Sequence, residues 1–275
     1  MKGLYVYNGG LLTPKFCEIR DLFVQAFDAQ GIQMIPKTNE EMRFCRESFD
    51  FCLFYDKDIS LCMELERQMP VFNASDCIAI CDDKSLTASA LADWVDMPKQ
   101  ITAPLIFFGT QRDEFLERVG AELSYPVVIK SAKGSFGEQV TLANDLNELV
   151  LKTRSLGATP IVFQQFVEAN GEDKRIYVAD GKVCGAMKRK AVNGDFRANV
   201  TNGGIMSPCE VTEEEEQLAL DACRGVKALF AGVDVIGKER PVLLEVNSNA
   251  HFKHFLDCTG INFAERVADA VLKQL

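Results

Sequence analysis

Two strands near the C-terminus carry the polar groups best suited to chemistry. Pro241-Val242-Leu243-Leu244 is an apolar run that reads as a buried strand, and Glu245 and Asn247 follow it two positions apart, on one face. About one strand earlier, Gly232-Val233-Asp234-Val235-Ile236 sets a single acid in the middle of another apolar strand. An acid there is costly unless its charge is compensated. Asp234, Glu245 and Asn247 together offer only oxygen ligands, which suits Mg²⁺ or Mn²⁺ and not zinc. The other reading is a strand acid paired with Lys or Arg, and this stretch alone leaves both open.

Candidate cations lie upstream. Tyr125-Pro126-Val127-Val128-Ile129-Lys130 is an apolar run ending in lysine, followed at once by Ser131-Ala132-Lys133-Gly134-Ser135-Phe136-Gly137. A lysine on a buried strand is held by a carboxylate, by a phosphate, or by its own stem reaching solvent. The Gly/Ser loop frees backbone N–H groups to approach phosphate oxygens. It is not a Walker A loop, because the lysine precedes the glycines; the plain alternative is a hairpin tip. Lys84 follows Asp82-Asp83 at the start of a helix, where it serves as a phosphate clamp or stays a surface residue. Pro160 to Val167 is a strand whose apolar run breaks into Gln164-Gln165 and then Phe166, either an adenine-holding surface or an ordinary strand end. Lys188-Arg189-Lys190 and Arg197 form a basic cluster just after Glu172 and Asp173. Basic groups converging on an acidic metal site are what phosphoryl transfer requires, whereas a solvated basic loop requires no partner.

The elements that must position these groups alternate. Residues 2–7 read as a strand with Asn8-Gly9-Gly10 as its turn; a helix follows from Pro14 to about Gln30, with Phe16, Ile19, Phe23 and Phe27 at helical spacing, closed by Gly31. Strands at Ile32–Ile35, Phe49–Tyr55 and Val71-Phe72, the last after a helix closing at Glu64–Gln68, predict a parallel α/β unit. It lacks G-x-G-x-x-G, so a dinucleotide site has no support. Further helices are expected at 82–94, 112–120, 145–156 and 263–272, and a short strand between Pro98 and Pro104. Arg175–Ala179 and Lys182–Met187 flank Asp180-Gly181, a type I′ hairpin signal. Thr212-Glu213-Glu214-Glu215-Glu216 reads as a capping box opening a helix to about Phe230.

The bulk properties narrow the class. The 275 residues, 47% hydrophobic and 25% charged, can bury one large or two to three small domains. A net charge of −10 argues against non-specific nucleic-acid or anionic-membrane binding. Ten cysteines without a C-x-x-C pair give neither a zinc signature nor a disulfide scaffold. With no signal peptide and no apolar run long enough to span a bilayer, a reduced cytoplasmic protein is expected, with no membrane partner.

In this order the parts resemble the ATP-grasp superfamily, and within it the RimK-type carboxylate–amine ligases, from about Asp82 to the C-terminus. The most specific pieces are Gly194-Asp195-Phe196-Arg197-Ala198-Asn199, the Gly232-Val233-Asp234 strand and Glu245-Val246-Asn247. The resemblance implies a mixed α/β and α+β protein: a small parallel α/β domain over 1–83, then an ATP-grasp domain over 84–275 whose two α+β subdomains, 84–162 and 163–275, sandwich ATP. It implies that Lys84 and Lys130 touch the phosphates and that the loop with Gly134 and Ser135 folds over them. It places Gln165, Phe166 and Val167 on the adenine and Asp173 on the ribose. Arg197 and Asn199 fall on the phosphate side, with Arg189 the first basic residue of the preceding strand, and Arg197, Lys130 and Arg189 are the expected catalytic cations. Asp234, Glu245 and Asn247 match the ligands of Mg²⁺ or Mn²⁺, two ions in all. The implied activity is ATP-dependent amide formation through an acyl phosphate, joining an amino acid to an amino acid, peptide or protein acceptor, in an assembly often dimeric or tetrameric. The alternative is a nucleotide-binding module without ligase activity. Two departures stand out. Gln165 replaces a common acid, and Asn249-Ala250-His251-Phe252-Lys253 replaces the family's Ser-Pro-Gly beside the acceptor site. A ribosomal protein's glutamate tail is therefore not assumed as substrate, and the segment is somewhat closer to the branch acting on amino acids in lysine biosynthesis. Asn249 and His251 become candidate substrate contacts, with His254 at i, i+3 from His251.

Overall fold

The computed structural model describes residues 1–134, 140–192, 204–237 and 240–275. The chain opens with β1 (Lys2–Tyr7), α1 (Pro14–Asp28), β2 (Gln33–Thr38), α2 (Asn39–Met42), β3 (Phe51–Tyr55), α3 (Ile59–Glu66) and β4 (Val71–Phe72). Their strands form the expected parallel sheet, in order β2-β1-β3-β4. Gly31, at φ 75, reverses the chain after α1. Helix α2 was not expected; its Thr38/Glu41 capping box is a sequence signature that the short run after it obscures.

Asp83 stands at the next helix start. Its side chain caps α5 (Lys84–Leu91) by accepting from Ser85 N and Leu86 N. The helix thus opens at the acids as expected and ends at Leu91 instead of Trp94; what was not expected is the helix before it, α4 (Ser75–Asp82). The strands β5 (Gln100–Thr102), β6 (Val127–Ser131), β7 (Val140–Ala143) and β8 (Ile161–Gln165) form an antiparallel sheet ordered β5-β8-β6-β7. It is backed by α6 (Asp113–Leu123) and α7 (Leu146–Ser155). Since all of β8 belongs to this sheet, we propose that the first subdomain extends to Gln165 and not to 162.

A second antiparallel sheet, ordered β11-β10-β9-β12-β13, follows. Its strands are β9 (Glu172–Ala179), β10 (Lys182–Lys190), β11 (Ile205–Cys209), β12 (Phe230–Ile236) and β13 (Val242–Asn247). Asp180 and Gly181 have φ 51 and 65, as a type I′ turn demands. The helix capped by Thr212 and Glu215, α8 (Glu213–Gly225), stops before Phe230 because Lys227, at φ 57, turns the chain into β12. The chain ends in α9 (Lys253–Thr259), which has no side-chain cap to announce it, and α10 (Phe263–Leu272). No helix among the described residues is long and apolar enough to cross a membrane.

Packing joins the two ends of the chain. Ile19, Phe23 and Phe27 of α1 share one core with Tyr177 of β9, Phe252 and Phe255, and Phe263, Val267 and Val271 of α10. Across the other side of the junction, the buried Asn73 amide donates to Phe230 O at 2.9 Å and Ser248 O at 3.2 Å, and accepts from Leu229 N at 2.8 Å. Replacing Asn73 by Ala removes the partner of two buried carbonyls and one half-buried N–H, at about 1–3 kcal/mol for each buried group before relaxation. We predict that Asn73→Ala lowers unfolding free energy by about 3 kcal/mol in urea titration; a loss below about 1 kcal/mol would show that this junction is not held by Asn73.

Candidate active site

Alternation along antiparallel strands places the polar groups in rows. Arg175 on β9 is the register partner of Asp234 on β12, and Asp234 that of Glu245 on β13; one strand over, Arg189 on β10 faces Asp173 on β9. These side chains share the sheet face opposite α8, whose own side is filled by Ile176, Val178, Val233 and Val235. Arg175 donates Nε to Asp234 Oδ1 at 2.6 Å and Nη2 to Oδ2 at 2.7 Å. Arg189 donates to Asp173 through Nε at 2.6 Å and Nη2 at 2.7 Å, and its Nη2 lies 2.9 Å from Asp234 Oδ2. Two guanidiniums thus balance two buried carboxylates. Burial would raise the Asp234 carboxyl, but Arg175 and then Arg189 overcome it and hold it below the ordinary range.

The basic cluster read from the sequence separates along this strand. Arg189 turns inward, whereas Lys188 and Lys190 pair with Glu172 at 3.6 and 2.8 Å. Arg175 is a site residue the sequence reading missed: it follows Glu172-Asp173-Lys174 at the charged end of its strand, and only the register with Asp234 sets it apart.

The opposing wall comes from the first antiparallel sheet. Lys130, at the end of β6, is 8% exposed, and its Nζ donates to the neutral Gln164 Oε1 at 2.6 Å. Burial pulls its pKa down to about 8, with Glu245 opposing the shift and Lys84 adding to it. Lys84, at the head of α5, is not a free surface lysine: its Nζ donates to Gly134 O at 3.2 Å and lies 3.7 Å from Glu245 Oε1. Gly134 takes φ 149, a conformation that favours glycine. Gln165 ends β8, and Phe166 and Val167 continue beyond it. Ser135, Gly137, Arg197, Asn199 and the whole Gly194–Asn199 motif lie outside the described residues.

Between these walls lies a cleft of about 380 Å³. Among the expected site residues that are described, Lys84, Lys130, Gly134, Gln165, Phe166 and Val167 line it from one side, and Asp173, Arg189, Asp234, Glu245, Asn247, Asn249 and His251 from the other. The N-terminal sheet closes the end with Tyr7, Asn8, Asp56 and Lys57 at the carboxyl ends of β1 and β3, and Lys15 and Phe16 of α1. None of these was expected as a site residue from the sequence, where Asn8 reads as a turn and Phe16 as part of a helix face, although Asp56 at the end of a parallel strand is where such sheets hold ligands.

Several buried polar atoms on this cleft have no hydrogen-bond partner: Asn247 Nδ2, Asn249 Oδ1, Asp56 Oδ2 and His251 Nδ1. His251 is pulled to about 3 by burial and then by Lys15, so its ring is neutral, packed edge-on to Phe16 at 5.8 Å. A divalent cation fits this donor set in part. Among the described residues no three His, Cys, Asp or Glu side chains converge as a metal cluster. Glu245 and Asn247 face the cleft, while Asp234 already accepts three arginine N–H groups, leaving about one of a carboxylate's four lone-pair positions.

A model of the RimK-like ATP-grasp domain matches residues 81–271. A probable alpha-L-glutamate ligase of Shewanella halifaxensis (strain HAW-EB4) is 33% identical over 208 residues, 74% of this chain; the match spans only 44% of that relative's length. In structure, the D-cycloserine synthetase DcsG superposes with TM-score 0.79 at 14% identity, covering 100% of this chain and 99% of its own. A D-alanine–D-alanine ligase from Bacillus anthracis complexed with ATP gives 0.76 at 18% identity, covering 99% of this chain and 96% of its own. The latter two establish the ATP-grasp fold anticipated from the residues. Joined to the domain match over most of the sequence, they leave one conclusion: the chain belongs to the RimK-like ATP-grasp family.

Proposed function

We propose that the protein is an ATP-dependent carboxylate–amine ligase that forms an amide bond through an acyl phosphate. The observation that carries this reading is Lys130, a buried ammonium hydrogen-bonded to a neutral amide and set beside Lys84 and Glu245 in one cleft. A polyphosphate would supply the negative charge these lysines lack. In this reading Lys84 and Lys130 hold the ATP phosphates, with the loop beginning at Gly134 and Ser135 over them. Gln165, Phe166 and Val167 border the adenine and Asp173 the ribose, while Arg197 and Asn199 complete the phosphate side. Glu245 and Asn247 would hold Mg²⁺ or Mn²⁺, two ions by family resemblance, with Asp234 joining through its remaining lone pair. A bound cation would supply charge neutralisation on the phosphate oxygens.

The steps follow from that arrangement. An oxygen of the substrate carboxylate bonds to the γ-phosphorus as the bridging P–O bond to ADP breaks. The amine nitrogen then bonds to the acyl carbon, its proton passes to the departing phosphate, and the collapse of the tetrahedral intermediate breaks the C–O bond and expels inorganic phosphate. No side chain need become covalently attached; the residues position groups and neutralise charge. Arg197 and Lys130 would meet the charge developing on the transferring phosphoryl, while Arg189 positions Asp173 and Asp234. The substrates are an amino acid and an amino acid, peptide or protein amine. L-glutamate is the first carboxylate to assay, because the Shewanella relative is named a glutamate ligase. All ten cysteines are free thiols, in keeping with a reducing compartment.

Two outcomes are expected. ADP release should require both an amino acid carboxylate and an amine in mixtures of amino acids and peptides, and Lys130→Met should weaken ATP binding at least tenfold with the fold intact. ATP binding without turnover in any mixture would instead indicate a nucleotide-binding module.

A third outcome concerns pH. Lys130 has a folded pKa of about 8, below the unfolded value of about 10.4. The unfolded chain therefore holds more protons between those values, and stability rises with pH across that window as the buried charge is relieved. Bound phosphates reverse the shift. At pH 8.5, ATP binding should take up a proton at Lys130, read by calorimetry in buffers of different ionisation enthalpy, and Lys130→Met should abolish the uptake. Equal uptake in both proteins would remove Lys130 from the phosphate site.

A further inference from the structure

We propose that the carboxyl edge of the N-terminal sheet is a recognition subsite for the ammonium group of an amino-acid substrate, with Asp56 Oδ2 and Asn249 Oδ1 as its acceptors. This rests on the ligase reading above and specifies where that substrate is anchored.

Topology sets the place. The order β2-β1-β3-β4 means that the chain leaves β1 to one side and later returns to the other. The connections after β1 and β3 therefore diverge, and a crevice opens between the ends of those two strands. Tyr7 and Tyr55 are register partners, so the residues after them, Asn8 and Asp56, stand side by side at that crevice.

The hydrogen bonds set the chemistry. Asp56 Oδ1 accepts from Asn8 Nδ2 at 3.0 Å and from Lys57 N at 2.7 Å, which fixes the carboxylate's orientation. Its other oxygen is buried and has no donor, on a residue that lines the cleft. Asn249, from the segment that departs from the family pattern, donates Nδ2 to Asp56 O at 2.8 Å. That contact settles which end of the amide is oxygen, and Asn249 Oδ1 is likewise buried without a donor. His251 Nε2 lies 3.4 Å from Lys15 O, which makes Nε2 the protonated nitrogen and leaves Nδ1 a third acceptor without a donor on the same cleft.

Buried acceptors left unpaired are destabilising, and the shared deficit here is of donors. An ammonium carries three N–H donors and a positive charge to match the carboxylate, whereas a hydroxyl offers one donor and no charge. Asn247 Nδ2, two residues nearer the phosphate end, has the opposite deficit, a donor without an acceptor. That pairing suits a zwitterion with its carboxylate towards the phosphates and its ammonium towards Asp56.

Asp56→Asn tests the subsite, because it keeps Oδ1 for Asn8 and Lys57 and turns the unpaired acceptor into a donor. The probe is an equimolar mixture of the twenty L-amino acids with their N-acetyl derivatives, read by saturation-transfer NMR on the full chain with ADP and Mg²⁺ present. We expect signals from free amines over their N-acetyl forms in the wild type, and at least tenfold weaker signals in Asp56→Asn with unchanged thermal stability and ATP affinity. N-acetyl forms binding as well as free amines, equal binding in the variant, or no binding of either set overturns the subsite. Selective binding without ADP release from any of these mixtures would uphold it and contradict the ligase reading instead.

Discussion

The buried pairing of Arg175 and Arg189 with Asp234 and Asp173 is the constraint on which the cleft depends. Four charges from three adjacent strands meet on one sheet face, and removing any one leaves a buried partner uncompensated, typically at 3–5 kcal/mol. Such an arrangement fixes side-chain rotamers as well as charge. Because Arg175 and Asp234 are cross-strand partners, their bidentate contact orients the row that ends at Glu245. The floor of the site is thus positioned by backbone register and locked by guanidinium geometry.

The other wall contrasts with it. There Lys130 is buried beside Lys84 without an ion pair of its own among the described residues; Glu245 and, more weakly, Asp234 offset its charge from a distance, so one side of the cleft is electrostatically complete and the other is not. An incomplete wall facing a complete one is what a highly charged ligand requires: the rigid side sets geometry and the deficient side supplies affinity.

Much of the fold was legible because its signals are local. The type I′ turn at Asp180-Gly181, the capping box at Thr212 and the parallel rhythm of the first strands each depend on a few neighbouring residues. The differences arise where the local signal is missing: α4 begins after Ala74 without a side-chain cap, and Lys227 ends a helix through a left-handed conformation that its residue type does not advertise. The site followed the same division. Residues carried by motif order, such as Lys84, Lys130 and Glu245, line one cleft, whereas Arg175 and Asp56 gain meaning only from partners 59 and 193 positions away in sequence. The chemistry of Asp234 was framed correctly as a charge needing compensation, but the arginine that provides most of it could be identified only from strand register.

The central claim is that a carboxylate is activated by phosphorylation in this cleft. The direct measurement is isotope transfer: turnover with ATP, Mg²⁺ and amino acids labelled with ¹⁸O in their carboxylates, followed by mass analysis of the released phosphate. The account predicts one ¹⁸O atom in each inorganic phosphate formed along with amide. Phosphate released without the label would contradict it.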